Sequence, residues 1–122
     1  MAKILIVEDD ALMGRLYQKA FTFEGYEVEL AVDGQEGLDK VRAVKPTIIL
    51  LDVMMPIVDG YTVSVKMRGC ERTKALPILV VTAHGDTVHL FQDAPNVLGY
   101  LQKPFEPRVL RERVDAALSG KA

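Results

Sequence analysis

Apolar and polar positions alternate along this chain in two textures. Five short runs are apolar and β-rich, at residues 4–7, 28–32, 47–51, 78–82 and 97–101. The first, third and fourth are almost continuously apolar, as expected of strands covered on both faces in a parallel sheet. Between the runs the spacing becomes helical. Leu12, Leu16, Ala20 and Phe23 form one stripe, which predicts the inward face of a first helix, with Met13, Tyr17 and Phe21 widening it. Gly25 ends that helix. Residues 34–44 carry Leu38 and Val41 before Pro46 stops the second. Asp59-Gly60 opens a third, which runs to about residue 69. Pro77 then introduces the fourth strand. Segment 84–96 predicts a short or distorted fourth helix: Val88 and Phe91 are one turn apart, but Asp93-Ala94-Pro95-Asn96 breaks the pattern. The last helix follows Pro104, with Leu110, Val114, Ala117 and Leu118 inward and Arg108, Arg111, Glu112, Arg113 and Asp115 toward water.

Strand and helix thus alternate five times. With right-handed crossovers this predicts an α/β fold, a doubly wound parallel sheet with helices on both faces. No linker, repeat or low-complexity segment divides the chain, so residues 1–122 are read as one domain, with 119–122 as a frayed end or truncation point.

Composition narrows the function classes. The chain has 122 residues, 49% hydrophobic and 26% charged, which suits one soluble globular domain. A net charge of −2 argues against a broad surface for tracking nucleic-acid phosphates. No apolar run approaches the roughly 20 residues of a membrane helix, and the N-terminus lacks the pattern of a signal peptide. Cys70 is the sole cysteine, which excludes an intrachain disulfide. A cytoplasmic location is expected.

The candidate chemistry lies at the strand ends. In open α/β sheets, sites form at the carboxyl ends of the strands, near the point where strand order reverses. The first strand stops at Glu8-Asp9, the third at Asp52, the fourth at Thr82, and the fifth at Gln102-Lys103-Pro104. Three neighbouring carboxylates repel, so at least one pKa should rise unless a cation is present. A hard divalent ion such as Mg²⁺ removes the conflict; it takes one or two carboxylates plus phosphate oxygens. Lys103 adds a point charge for an anion, and Thr82 a hydroxyl donor. These residue types point to phosphoryl transfer with a carboxylate nucleophile. Asp10 is read instead as the cap of the first helix. His84 and His89, five apart, miss the one-turn spacing of a helical metal pair.

Four motifs carry a family resemblance: Val7-Glu8-Asp9-Asp10; Leu50-Leu51-Asp52-Val53-Met54-Met55-Pro56 with Asp59-Gly60; Val81-Thr82-Ala83; and Tyr100-Leu101-Gln102-Lys103-Pro104-Phe105. In this order, one per strand end, they resemble the receiver domains of two-component response regulators over essentially the whole chain. The resemblance implies a flavodoxin-like sheet of five parallel strands in the order 2-1-3-4-5. It implies that Asp52 is the phosphoacceptor and that Asp9, Asp52 and the backbone carbonyl of Met54 bind Mg²⁺, or Mn²⁺ in its place. Glu8 would act through a metal-bound water. Thr82 and Lys103 would sense the acyl phosphate, and Thr82 and Tyr100 would act as the switch. The bond Lys103-Pro104 matches a peptide usually cis in the family. Met54 and His84 match positions that tune hydrolysis of the acyl phosphate. A large apolar Met54 would shield the phosphoryl group, so Met54→Asn should change its decay rate.

The activity so implied is transfer from a histidine kinase phosphohistidine, or a phosphotransfer protein, to Asp52. The chain would catalyse only its own phosphorylation and dephosphorylation. The surface of the fourth helix, fifth strand and fifth helix would then change, to control an effector protein or domain. The segment before the fifth strand departs from the family, about one residue short between Thr82 and Lys103, so partner and oligomeric state stay open. The chain has no room for a DNA-binding helix pair. Two alternatives compete. A docking module of the same fold that is not phosphorylated would do without some of Glu8, Asp9, Asp52, Thr82 and Lys103. An aspartyl-phosphate phosphatase would need an acid where Met54 stands, and a flavin carrier a phosphate loop where Glu8-Asp9-Asp10 stands.

Overall fold

The three most apolar runs become the inner strands of one sheet. A computed structural model of the protein describes residues 2–53, 59–71, 73–82, 97–103 and 106–118. The strands are β1 (Lys3–Val7), β2 (Glu27–Ala31), β3 (Ile48–Asp52), β4 (Ile78–Thr82) and β5 (Val97–Gln102). The helices among the described residues are α1 (Ala11–Phe23), α2 (Gly34–Val44), α3 (Gly60–Arg68) and α4 (Pro107–Leu118). Segment 84–96, expected as a distorted helix, and the peptide Lys103-Pro104 lie outside the described residues or at their edge.

All strand pairs are parallel, in the order β2-β1-β3-β4-β5. This is the flavodoxin-like order expected. The chain steps outward from β1 to β2 and then back across to β3, so the crevice for a ligand lies between the ends of β1 and β3. Alternation along the inner strands divides the core into two layers. Ile4, Ile6, Leu50 and Val81 pack with Tyr17 of α1 and Leu110 of α4. Leu5, Val7, Leu51 and Val80 pack with Val41 of α2 and Met67 of α3. Each such side chain, when fully buried, contributes roughly 2 kcal/mol from removal of apolar surface from water.

Three aspartates start three helices. Asp10 accepts from the backbone N–H of Leu12 and Met13 at 3.0 and 3.2 Å, so its role as a cap is as expected. Asp33 caps α2 through Glu36 N at 2.8 Å, and Asp59 caps α3 through Thr62 N at 2.7 Å. Each cap contributes about 1 kcal/mol. Gly25, at φ 95°, takes the left-handed turn after α1 that glycine adopts without strain.

The expected inward face of α1 holds at Tyr17 and Phe21 and fails at Leu12, Leu16 and Phe23. Gly14, Tyr17 and Phe21 are the buried residues, while Leu12 is 62% and Phe23 90% exposed and Leu16 is also exposed. Asp10 fixes where the helix starts, and positions 14, 17 and 21 are those that meet the sheet. The rings of Phe21 and Tyr26 also meet in a T-shaped pair, with centroids 5.7 Å apart. A helix with apolar residues on more than one face has a broad stripe, and packing on the sheet decides which part of it is buried. Smaller differences are of one residue: β2 ends at Ala31 rather than residue 32, and Asp52 is the last residue of β3 rather than the first after it. In α4, Leu110 and Val114 are buried, as expected; Arg111 is half-buried, its guanidinium paired with Glu24 at 3.0 Å.

Candidate functional site

Parallel pairing brings the ends of β1 and β3 side by side, with Val7 opposite Leu51. The next residue of each strand is an acid. Glu8 and Asp52 share the alternation of Ile6 and Leu50, so both carboxylates belong to the layer of α1 and α4. The backbone N–H of Glu8 donates to Ala31 O at 2.9 Å, which extends the strand pairing by one step and fixes Glu8 at the sheet edge. Its Oε2 accepts from Asp10 N at 3.2 Å. Glu8 and Asp52 are both buried, and Asp9 is exposed. One ligand oxygen from each of the three can lie within 4.8 Å of the others.

Lys103 arrives from the far side of the sheet. Its backbone N–H donates to Thr82 O at 2.7 Å, anchoring the segment after β5 to the end of β4. Its Nζ donates to Glu8 Oε1 at 2.6 Å and lies 3.6 Å from Asp52 Oδ2. The ammonium therefore bonds the glutamate more tightly than the aspartate.

The electrostatics follow from crowding and burial. Burial pushes the Glu8 carboxyl above its ordinary value; the Lys103 hydrogen bond draws it down, and Asp52 pushes it up again. The expected rise is there, with desolvation as its first cause and the neighbouring acid second. Lys103 is held above its ordinary value. Burial alone would lower it, but the hydrogen bond to Glu8 and the charges of Asp52 and Glu8 outweigh that. Three carboxylates against one ammonium leave an excess of negative charge at one strand edge. An all-oxygen donor set with that excess fits a hard divalent cation.

Thr82 is completely buried at the end of β4, one register step beyond Val81, the partner of Asp52. It shares the alternation of Val80 and so leans to the layer of α2 and α3. Tyr100, on β5, is half-buried and packs against that same layer. Met54, with its carbonyl, and His84 lie outside the described residues.

Two residues matter more than the sequence suggested. Gly60 opens α3 directly against the site: its N–H donates to Val53 O at 2.8 Å, and a Cβ there would stand 2.8 Å from Val53 Cα. The pair Asp59-Gly60 signalled the helix start but not this approach. Tyr17, counted only as part of a stripe, lines a small cavity with Glu8 and Asp52. Burial raises its phenol pKa; the charge of Lys103 lowers it, and those of Glu8, Asp52 and Asp10 raise it. Its signal in the sequence was a polar tip two turns after a helix cap.

Comparison with known proteins meets this geometry. The family model described as the response regulator receiver domain matches residues 4–115. The chain is 38% identical over 121 residues to the DNA-binding dual master transcriptional regulator RpaA of Synechocystis, covering 97% of this chain and 49% of that protein. The chain therefore spans about half the length of such curated relatives. Among solved structures, chemotaxis protein CheY4 of Vibrio cholerae aligns with a TM-score of 0.86 and 31% identity, covering 94% of this chain and 97% of that one. Response regulator TrrA of Thermotoga maritima, solved in complex with Mg²⁺ and BeF, aligns with a TM-score of 0.83 and 28% identity, over 94% and 97% of the two chains.

Proposed function

The chain belongs to the receiver-domain family of two-component response regulators, and from that premise we propose that it accepts a phosphoryl group on Asp52. The observation that carries the reading is the convergence of Glu8, Asp9, Asp52 and Lys103 at one strand edge. The donor would be the phosphohistidine of a sensor histidine kinase or phosphotransfer protein. An Asp52 carboxylate oxygen attacks phosphorus in line; the O–P bond forms as the N–P bond breaks, and the leaving imidazole takes up a proton. Asp52, Asp9, Glu8 and the Met54 carbonyl would hold a magnesium ion, which neutralises charge on the transferring oxygens when bound. Lys103, 3.6 Å from Asp52, would leave Glu8 to pair with the phosphoryl oxygens. Thr82 and Tyr100 are the proposed switch, carrying the change toward β5 and the last helix.

The chain would act as one domain, cytoplasmic, and as a signalling protein that modifies only itself. Relatives include DNA-binding regulators that are about twice its length. Control of transcription would therefore require an effector partner or domain, with no direct contact of this domain to DNA.

Incubation with acetyl phosphate, with and without Mg²⁺, followed by intact mass measurement tests the reading. We expect a Mg²⁺-dependent gain of one phosphoryl group, absent in Asp52→Asn. No gain from acetyl phosphate, from a kinase, or as a beryllofluoride complex would reject it in favour of a docking module.

A further inference from the structure

One edge of the sheet is formed by β2, which pairs only with β1. The Glu27 N–H donates to Ala2 O at 3.1 Å, and Ala31 O accepts from Glu8 N at 2.9 Å, so the backbone groups of residues 27, 29 and 31 face β1. Alternation turns those of Val28 and Leu30 to the open side. The side chains of Val28 and Leu30 pack against the layer of α1 and α4, which holds the edge extended. A row of outward N–H and C=O groups on such a strand is a template for a further strand. Lys40 closes part of this row. From α2 its Nζ donates to the outward carbonyl of Leu30. The same ammonium lies 3.8 Å from Glu29 Oε1 and 3.6 Å from Glu36 Oε1. Pairing with Glu36 alone would be an ordinary contact one turn apart on a helix surface. The reach to Leu30 O is different: it fills the acceptor that the N–H of an added strand would need. Glu29 is the central residue of β2. If two β2 strands paired antiparallel, with Val28 of each exchanging hydrogen bonds with Leu30 of the other, each Glu29 would face its own counterpart in the closer, non-hydrogen-bonded position. Like charges directly opposite destabilise such a pair.

We propose that Lys40 and Glu29 are guards that keep the β2 edge closed to a second copy of this chain. Lys40 acts by occupying the outward carbonyl of Leu30, and Glu29 by opposing its own counterpart. Without them the edge is a homotypic strand-pairing surface. The inference goes beyond the phosphoryl-acceptor reading and does not depend on it, since none of its residues belongs to the site of Asp52.

The double variant Glu29→Thr/Lys40→Met removes both guards. Hydrogen exchange at the Val28 and Leu30 amides reads the edge itself, apart from any association through another face. In the double variant these amides should exchange about tenfold more slowly at high protein concentration, where about nine-tenths of the chains are paired, because only the free edge exchanges. In the wild type their rates should not depend on concentration. Adding Val28→Pro to the double variant removes an outward N–H and no bond to β1, so it should abolish the association. A Glu71→Thr/Lys74→Met control, which breaks an exposed pair elsewhere, should behave as the wild type. Concentration-independent exchange in the double variant overturns the proposal. So does association that survives Val28→Pro, or a wild type already protected at high concentration. Should the double variant fail to fold, Lys40→Met and Glu29→Thr are read singly: concentration dependence at these amides in either supports the proposal, and in neither overturns it.

Discussion

Two ion pairs of similar length have opposite consequences. Lys103 and Glu8 meet at 2.6 Å, with side chains 20% and 4% exposed. Arg108 and Glu112 meet at 2.9 Å on α4, with side chains 60% and 58% exposed. The surface pair lies one helical turn apart in water and is worth about 0.3–0.5 kcal/mol. The pocket pair has left water, and its attraction is offset by desolvation and by the neighbouring Asp52. Distance alone does not tell a structural contact from a poised one; burial and the surplus of like charge do. At the strand edge a cation is held among more acids than it can neutralise. On α4 Arg108 and Glu112 match each other within one turn, and nothing further is demanded of that pair.

The contrast between the two pairs is open to direct measurement. The largest effect is expected from Gly60→Ala. Its Cβ would press on backbone rather than on a side chain that could rotate, so we expect a loss of about 3 kcal/mol or more by urea denaturation, together with loss of phosphoryl uptake. An unchanged midpoint would mean that α3 can move away from the end of β3. Next is Lys103→Met, which strands the buried Glu8 carboxylate. Removing one partner of a buried pair should cost about 3 kcal/mol at pH 7, and added Mg²⁺ should recover part of it. A cost no larger than that of Arg108→Ala would erase the distinction between the two pairs.

Asp52→Asn should act in the other direction. Like charges at the spacing of this cluster repel by roughly 3 kcal/mol at an effective dielectric of about 20. Relief of even part of this should make the variant more stable than the wild type by about 1 kcal/mol, read in the same denaturation. Mg²⁺ at ten times its dissociation constant should stabilise the wild type by about 1.4 kcal/mol and the variant by less. A destabilised Asp52→Asn would show that the acid is a structural partner and not a source of strain.

The smallest effect belongs to the seam between α1 and α4, where the Tyr26 hydroxyl donates to Asp115. Burial first, then that bond and the Asp115 charge, push the phenol up to about 12. The folded state therefore holds this proton after the unfolded chain has lost it near 10. The contribution to stability is whole below about pH 10 and is lost as pH rises toward 12. Tyrosinate absorbance should show a transition near 12 in the wild type that is missing in Tyr26→Phe, with no difference between the two at pH 7. A Tyr26 that titrates near 10 would show that the seam is fully solvated.

Much of this protein was legible in its sequence. The runs at 4–7, 47–51 and 78–82 were continuous enough to be strands of a covered parallel sheet, because apolar residues on both faces suit no exposed strand. Glu8, Asp9, Asp52, Thr82 and Lys103 stood out because polar residues end apolar runs there, and parallel strands that start together end together. Asp10 and Gly25 could be read as helix punctuation, since a cap and a left-handed turn are local chemistry. What lay beyond the sequence depended on neighbours distant along the chain. The apolar stripe of α1 was broad, from Leu12 and Leu16 to Tyr17 and Phe21, and only packing on the sheet buried the second part and left the first exposed. The contact of Gly60 with the backbone of Val53, the preference of Lys103 for Glu8 over Asp52, and the cavity beneath Tyr17 all arise where three or more elements meet. Periodicity records which face of an element is apolar; what that face touches, and which charge a buried cation chooses, is set by distances that only the folded chain defines.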